Sequence, residues 1–217
     1  MDCKATVKIG EFSRGGKNRV AVSALDHDFN GTAQSVTPVG LYLPRYNDFY
    51  MYLATSTVTS DCLVDVLESW WQAQAARFSQ VRTLVINLDN GPENHSKRTQ
   101  FMARMVEFAK ITGLSVKLAY YPPYHSKYNP VERLWGALEQ YWNGDLLDSL
   151  ETVYRFARNM SWKGQHPTVE ILTKTYKTGV TLTKEAMEIV EAQLQRLPGL
   201  SKWFVTIVPK VQDLLDT

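Results

Sequence analysis

Thr83-Leu84-Val85-Ile86-Asn87-Leu88-Asp89-Asn90-Gly91-Pro92 is a short apolar run that ends on an acid and a turn. Six residues this rich in aliphatic side chains, bounded by turn chemistry, have the pattern of a strand buried on both faces at the centre of a sheet. Asp-Asn-Gly-Pro then stops it, because each of those residues favours a turn. An acidic side chain is therefore expected at the end of a central strand.

Working outward, the period changes on both sides. Upstream, Leu63, Leu67, Trp70, Trp71, Ala75 and Phe78 recur at helical spacing after a Ser60-Asp61 cap, which predicts a helix over residues 60–78. Downstream, Phe101, Met105, Phe108 and Ala109 define a helix over 96–112 that stops at Gly113. A strand over 116–120 follows. After Pro122-Pro123, Asn129-Pro130 opens a third helix with Val131, Leu134, Trp135, Leu138 and Tyr141 as its apolar stripe.

The beginning of the chain reads as a β-meander. Cys3, Ala5, Val7 and Ile9 alternate with Asp2, Lys4, Thr6 and Lys8, as in a half-buried strand with the acid on its polar face. A glycine-rich turn at 13–18 leads to a strand at 19–23, and a third lies within 36–43 or 49–54, with Asn47-Asp48 as turn chemistry between them. The order β-β-β-α-β-α-β-α predicts an α/β fold, a mixed five-stranded sheet flanked by helices. Beyond Trp142 the pattern weakens to helices near 146–159 and 183–197, with a strand or extended tail at 202–208. The expected organisation is a core of residues 1–143 and a mostly helical appendage of 144–217.

Composition narrows the class. Hydrophobic content of 44% and charged content of 21% are those of a folded globular chain. There is no apolar run of the roughly 18 residues a membrane span requires and no signal-peptide core at Met1-Asp2-Cys3-Lys4, so a cytoplasmic protein is expected. Cys3 and Cys62 form no CxxC pair and sit within apolar patterns, which predicts buried thiols. The six tryptophans mostly occupy helix faces and are expected in the core. The net charge of +2 is uninformative, but residues 95–135 hold seven basic side chains against two acidic ones, a window able to face a polyanion.

Three acids occupy special places in this layout: Asp2 at the start of the first strand, Asp89 at the end of the fourth and Glu132 in the first turn of the third helix. If strands one and four are neighbours, three carboxylates converge with no base among them, an arrangement suited to hard divalent cations such as Mg²⁺ or Mn²⁺. Each acid also has a plainer role available: a turn for Asp89, a capping box with Asn129 for Glu132, a surface end for Asp2. Asp26 and Asp28 rival Asp2 as first acid, although Asn30-Gly31 places them in a loop.

Leu88-Asp89-Asn90-Gly91-Pro92-Glu93 resembles the second-acid motif of the retroviral integrase superfamily. His125-Ser126-Lys127-Tyr128-Asn129-Pro130-Val131-Glu132-Arg133-Leu134-Trp135 resembles the third-acid motif of insertion-sequence transposases. Further stretches are similar to the ISAzo type of insertion sequence: Asp2-Cys3-Lys4, Lys8-Ile9-Gly10, Arg14-Gly15-Gly16, Asp26-His27-Asp28-Phe29, Pro38-Val39-Gly40-Leu41-Tyr42, Trp142-Asn143-Gly144-Asp145-Leu146 and Tyr176-Lys177-Thr178-Gly179-Val180.

The resemblance implies an RNase H-like DDE transposase core in which Asp2, Asp89 and Glu132 hold two Mg²⁺ or Mn²⁺ ions and DNA is cut and joined. It implies Lys127 and Arg133 as first candidates for phosphate contacts, Arg14, Lys17, Arg19, Lys97 and Arg98 as further ones, and His125 and Asn129 as groups orienting DNA or water. It also implies transposon ends and target DNA as partners and self-association on DNA. Only Met1 precedes Asp2, where family members carry residues that complete strand one and often an upstream helical DNA-binding region. An inactive DNA-binding fragment and an RNase H-like nuclease that does not join DNA therefore stand beside the active transposase as readings.

Overall fold

The computed structural model describes residues 1–13, 34–122 and 129–209. The expectations for the strand at 19–23, for Asp26 and Asp28 and for Arg14, Lys17, Arg19, His125 and Lys127 fall outside them. The described residues form β1 (Asp2–Cys3), β2 (Val7–Lys8), β3 (Ser35–Leu43), β4 (Asp48–Ala54), α1 (Ser60–Gln74), β5 (Thr83–Leu88), α2 (Thr99–Thr112), β6 (Ser115–Tyr120), α3 (Pro130–Tyr141), α4 (Leu150–Asn159), β7 (Thr168–Leu172), α5 (Lys184–Glu191), β8 (Leu194–Arg196) and β9 (Phe204–Ile207).

They fall into two compact units: residues 1–57 with 127–175, and residues 58–126 with 176–217. Instead of the single five-stranded sheet expected, each unit has its own. The first sheet runs β1-β3-β4-β7, with β2 also paired to β3; the second runs β5-β6-β9-β8. The physical reason is long-range pairing that local patterns do not carry. β7 adds parallel to β4, with Tyr50 opposite Thr168, and β9 adds antiparallel to β6, with Val116 opposite Ile207. The boundary expected after residue 143 lies inside the first unit, between α3 and α4.

In the first unit both candidate third strands are real, joined as a hairpin whose turn places Asn47 at φ 57°. Asn tolerates that left-handed conformation, and its Oδ1 accepts the Tyr42 hydroxyl at 2.9 Å. The core gathers Phe49, Met51 and Leu53 of β4 with Val131, Leu134, Trp135 and Leu138 of α3 and with Val153 and Ala157 of α4. The stripe read at helical spacing on α3 is thus buried as expected, apart from exposed Tyr141.

The first strand departs from its reading. Alternation breaks over 4–6, which are not strand, and this inverts the phase: Asp2 is buried and Cys3 exposed, whereas Val7 and Ile9 face the core. Cys3 is therefore not the buried thiol expected, although Cys62 is.

In the second unit β5 spans the residues predicted, but among the described residues it stands at the end of its sheet and not at the centre. Ile86 and Leu88 are buried while Thr83, Val85 and Asn87 are exposed, so it is covered on one face only. α2 buries Phe101, Met105, Phe108 and Ala109 and packs on α1, α5, β6 and β9. Helix ends moved by local capping. Thr59 caps α1, one residue before the expected pair, by accepting Cys62 N–H at 3.3 Å. α2 begins at Thr99 and not Ser96, because residues 91–98 close as turns, with His95 N–H donating to Gly91 O and Arg98 N–H to His95 O. Among the described residues no helix is long and apolar enough to cross a membrane.

Candidate functional site

Asp89 follows directly on β5, and the ladder beside it is kept to its end by Tyr121 N–H donating to Leu88 O at 2.8 Å. Its carboxylate is exposed, but not loose. Asn94, five residues on and buried, donates through Nδ2 to Asp89 Oδ1 at 2.7 Å. Asn94 is itself fixed from behind: the Tyr120 hydroxyl donates to its backbone oxygen at 2.9 Å. Burial pushes the Tyr120 phenol far up, with Arg196 opposing and Asp89 adding to the rise, so this group stays a neutral donor at any ordinary pH.

Glu93 ties the same loop to α1. Its Oε2 accepts Ser60 N–H and Arg98 Nη2–H, both at 3.1 Å, and the Ser60 hydroxyl lies 2.8 Å from Glu93 O. A carboxylate at a helix N-terminus gains from the unpaired N–H groups there. The loop carrying Asp89 is thereby anchored at Tyr120, at α1 and at its own asparagine.

Gly91 leaves room beside this carboxylate. A Cβ there would lie 3.2 Å from Asn94 Oδ1 and 3.2 and 3.4 Å from the two Asp89 carboxylate oxygens, so three oxygens face one point that only glycine leaves open. Asn94 Oδ1 is buried without a hydrogen-bond partner. A buried oxygen in that state is costly unless something donates to it. Carboxylate and amide oxygens are the hard donors that Mg²⁺ and Mn²⁺ take, so the Asp89 loop fits such an ion chemically. Among the described residues, no group of three or more His, Cys, Asp or Glu side chains is placed to hold a metal.

His95, in the same loop, has its pKa lowered from 6.5, first by burial and then by Arg98 and Lys97, with Glu93 opposing. It stays neutral at pH 7, with Nδ1 accepting Lys97 N–H at 3.3 Å. The unfolded chain takes up this proton first as pH falls through about 6.5, so His95 subtracts stability on acidification. Thermal melts by circular dichroism at pH 7.5 and 5.5 are expected to show a larger drop for the parent than for His95→Gln; equal drops would contradict the depressed pKa.

In the first unit, Asp2 pairs in register with Gly40 of β3, and only 8% of it is exposed. Trp135 Nε1 donates to Asp2 Oδ2 at 3.0 Å. Glu132 sits one turn earlier on α3 with its side chain exposed. The helix start is fixed by Pro130 and by Asn129, which is buried and accepts Val131 N–H at 3.2 Å through Oδ1. Asn129 thus has a capping duty beside any role toward DNA.

Among the described residues the basic window 95–135 divides in two. Lys97, Lys117 and Arg133 are exposed. Arg98 pairs with Glu93, and Arg104 bonds Asp65 at 2.8 Å and Glu68 at 3.2 Å, so these two guanidiniums serve the fold. The contacts of Asn94, Glu93, Gly40 and the Trp135 N–H with the site acids and their loop were not read from the sequence, because each depends on a partner that the local pattern does not name.

The family model describing the Rhodopirellula transposase DDE domain matches residues 1–209 of this chain. No curated protein and no solved structure gives a match.

Proposed function

Because the chain belongs to the Rhodopirellula transposase DDE-domain family, we propose that it is an RNase H-like catalytic core that cuts DNA at a transposon end and joins the freed 3′-hydroxyl to target DNA. The acids are Asp2, Asp89 and Glu132, and the ions are two Mg²⁺ or Mn²⁺. The observation that carries this reading is a family match whose span, residues 1–209, includes all three acids.

In the first step water attacks the phosphorus and the 3′-oxygen leaves as a hydroxyl; in the second that hydroxyl attacks target phosphorus and displaces another 3′-oxygen, so each bond made replaces one broken. Bound divalent ions supply charge neutralisation and activation of the attacking oxygen. The chain supplies position. Asp89 is held by Asn94, Asp2 by Trp135, and Glu132 by a capped helix start. Arg133, exposed beside Glu132, and Lys127 are the first phosphate contacts, with His125 and Asn129 orienting DNA or water. Arg14, Lys17, Arg19 and Lys97 extend the contact, whereas Arg98 acts through Glu93. The working partner is DNA at paired transposon ends, bound by more than one copy of the chain.

Purified protein, supercoiled plasmid and an oligonucleotide with a free 3′-hydroxyl make the test. Nicking and oligonucleotide joining are expected with Mg²⁺ and neither with excess chelator. Nicking without joining would reduce the protein to a nuclease. Retention of plasmid with no nicking in Mg²⁺ or Mn²⁺ would overturn catalysis and leave a DNA-binding fragment.

A further inference from the structure

Two polar contacts bind the first residues of the chain to α3. Asp2 accepts the Trp135 N–H, and Lys4, two residues further, forms an ion pair with Glu139, whose Oε2 also accepts Trp142 Nε1–H at 2.7 Å. The spacings match: residues i and i+2 of extended chain lie about 6.6 Å apart, and i and i+4 of a helix about 6 Å. The start of the chain and the helix therefore meet at two rungs. Glu132, Trp135 and Glu139 follow the i, i+3, i+7 pattern of a single helix stripe, so the third acid is on the stripe that grips the first.

Gly40 supports the upper rung. It lies opposite Asp2, and a Cβ there would come within 2.7 Å of the Trp135 ring and 3.0 Å of Phe49, which meets that ring edge-on. A glycine inside a strand marks a close approach, and what approaches is the indole that holds Asp2.

We propose that Trp135 is a positioning residue that aims the Asp2 carboxylate for cation binding one helical turn from Glu132. An indole is a donor only, and neutral. It fixes the direction of the carboxylate without cancelling its charge, as an arginine or lysine there would. This role rests on the assignment of Asp2 to the metal-binding acids made above, and its test separates the two.

Mn²⁺ binding is measured by the loss of its free electron paramagnetic resonance signal for parent, Trp135→Phe and Asp2→Asn, together with thermal melts and the indole ¹H–¹⁵N resonances of the metal-free proteins. Asp2→Asn should displace the one indole resonance that Trp135→Phe removes. Trp135→Phe should weaken Mn²⁺ binding about 10-fold, the effect of losing a group that orients a metal ligand, while the protein still melts cooperatively. Parent-like affinity in Trp135→Phe beside weakened binding in Asp2→Asn overturns the positioning role and spares the acid. Parent-like affinity in Asp2→Asn removes the acid from the site and the positioning role with it. Should Trp135→Phe not fold, the indole resonance displaced by Asp2→Asn must be one that Mg²⁺ shifts in the parent; if no resonance is displaced, or Mg²⁺ leaves it still, the proposal fails.

Discussion

Replacing Asp89 by asparagine is expected to remove plasmid nicking and joining together, by roughly 10³-fold or more, which corresponds to about 4 kcal/mol of lost transition-state stabilisation. The substitution changes one atom. Asn94 still finds an oxygen to donate to, and the side chain is exposed, so the melting temperature should stay near that of the parent. What disappears is negative charge beside Gly91 and the orphaned Asn94 oxygen, where a divalent ion would be attracted. Activity assays on a variant shown by circular dichroism to be folded decide the matter. Near-parent turnover would remove Asp89 from the chemistry.

The second large effect is on stability. Trp142 ends α3 with no exposed surface, donates to Glu139 at 2.7 Å and lies in the cluster with Val7, Leu138, Leu147 and Met160. Trp142→Ala leaves a large cavity and removes the indole N–H that donates to Glu139. A loss of about 3–5 kcal/mol is expected from truncating a buried aromatic. Urea titration should show the midpoint falling accordingly, with Trp142→Phe in between. A loss below about 1 kcal/mol would mean that the pocket collapses around the smaller side chain or that the cluster is not a core.

Much of the framework was legible because it is local. The 3.6-residue stripes of α1, α2 and α3 and the apolar run of β5 are written in consecutive residues, so Asp89 and Glu132 could be placed at a strand end and a helix start. What escaped depends on distant partners. β7 carries only Thr-Val-Glu-Ile-Leu and becomes a strand by adding to β4, more than a hundred residues earlier. The alternation from Cys3 to Ile9 suggested one unbroken strand, but Lys4–Thr6 leave it, and Asp2 turned inward where a polar face was expected. Burying that acid is tolerable because Trp135 donates to it, and nothing in the spacing of residues 2 and 135 announces the bond. Asn94 is similar: a polar residue in a polar loop shows no sign of which carboxylate it will hold.

The interleaving of the two units bears on how the polypeptide acquires its shape during synthesis. β8 reaches the second sheet only through β9, which ends at Ile207, and the first sheet lacks its β7 edge until Leu172. A ribosome adding about 5–20 residues per second therefore extrudes most of this chain before either sheet can close. Nascent β4 and β6, each with one flank still unpaired, are the segments a chaperone would have most reason to shield.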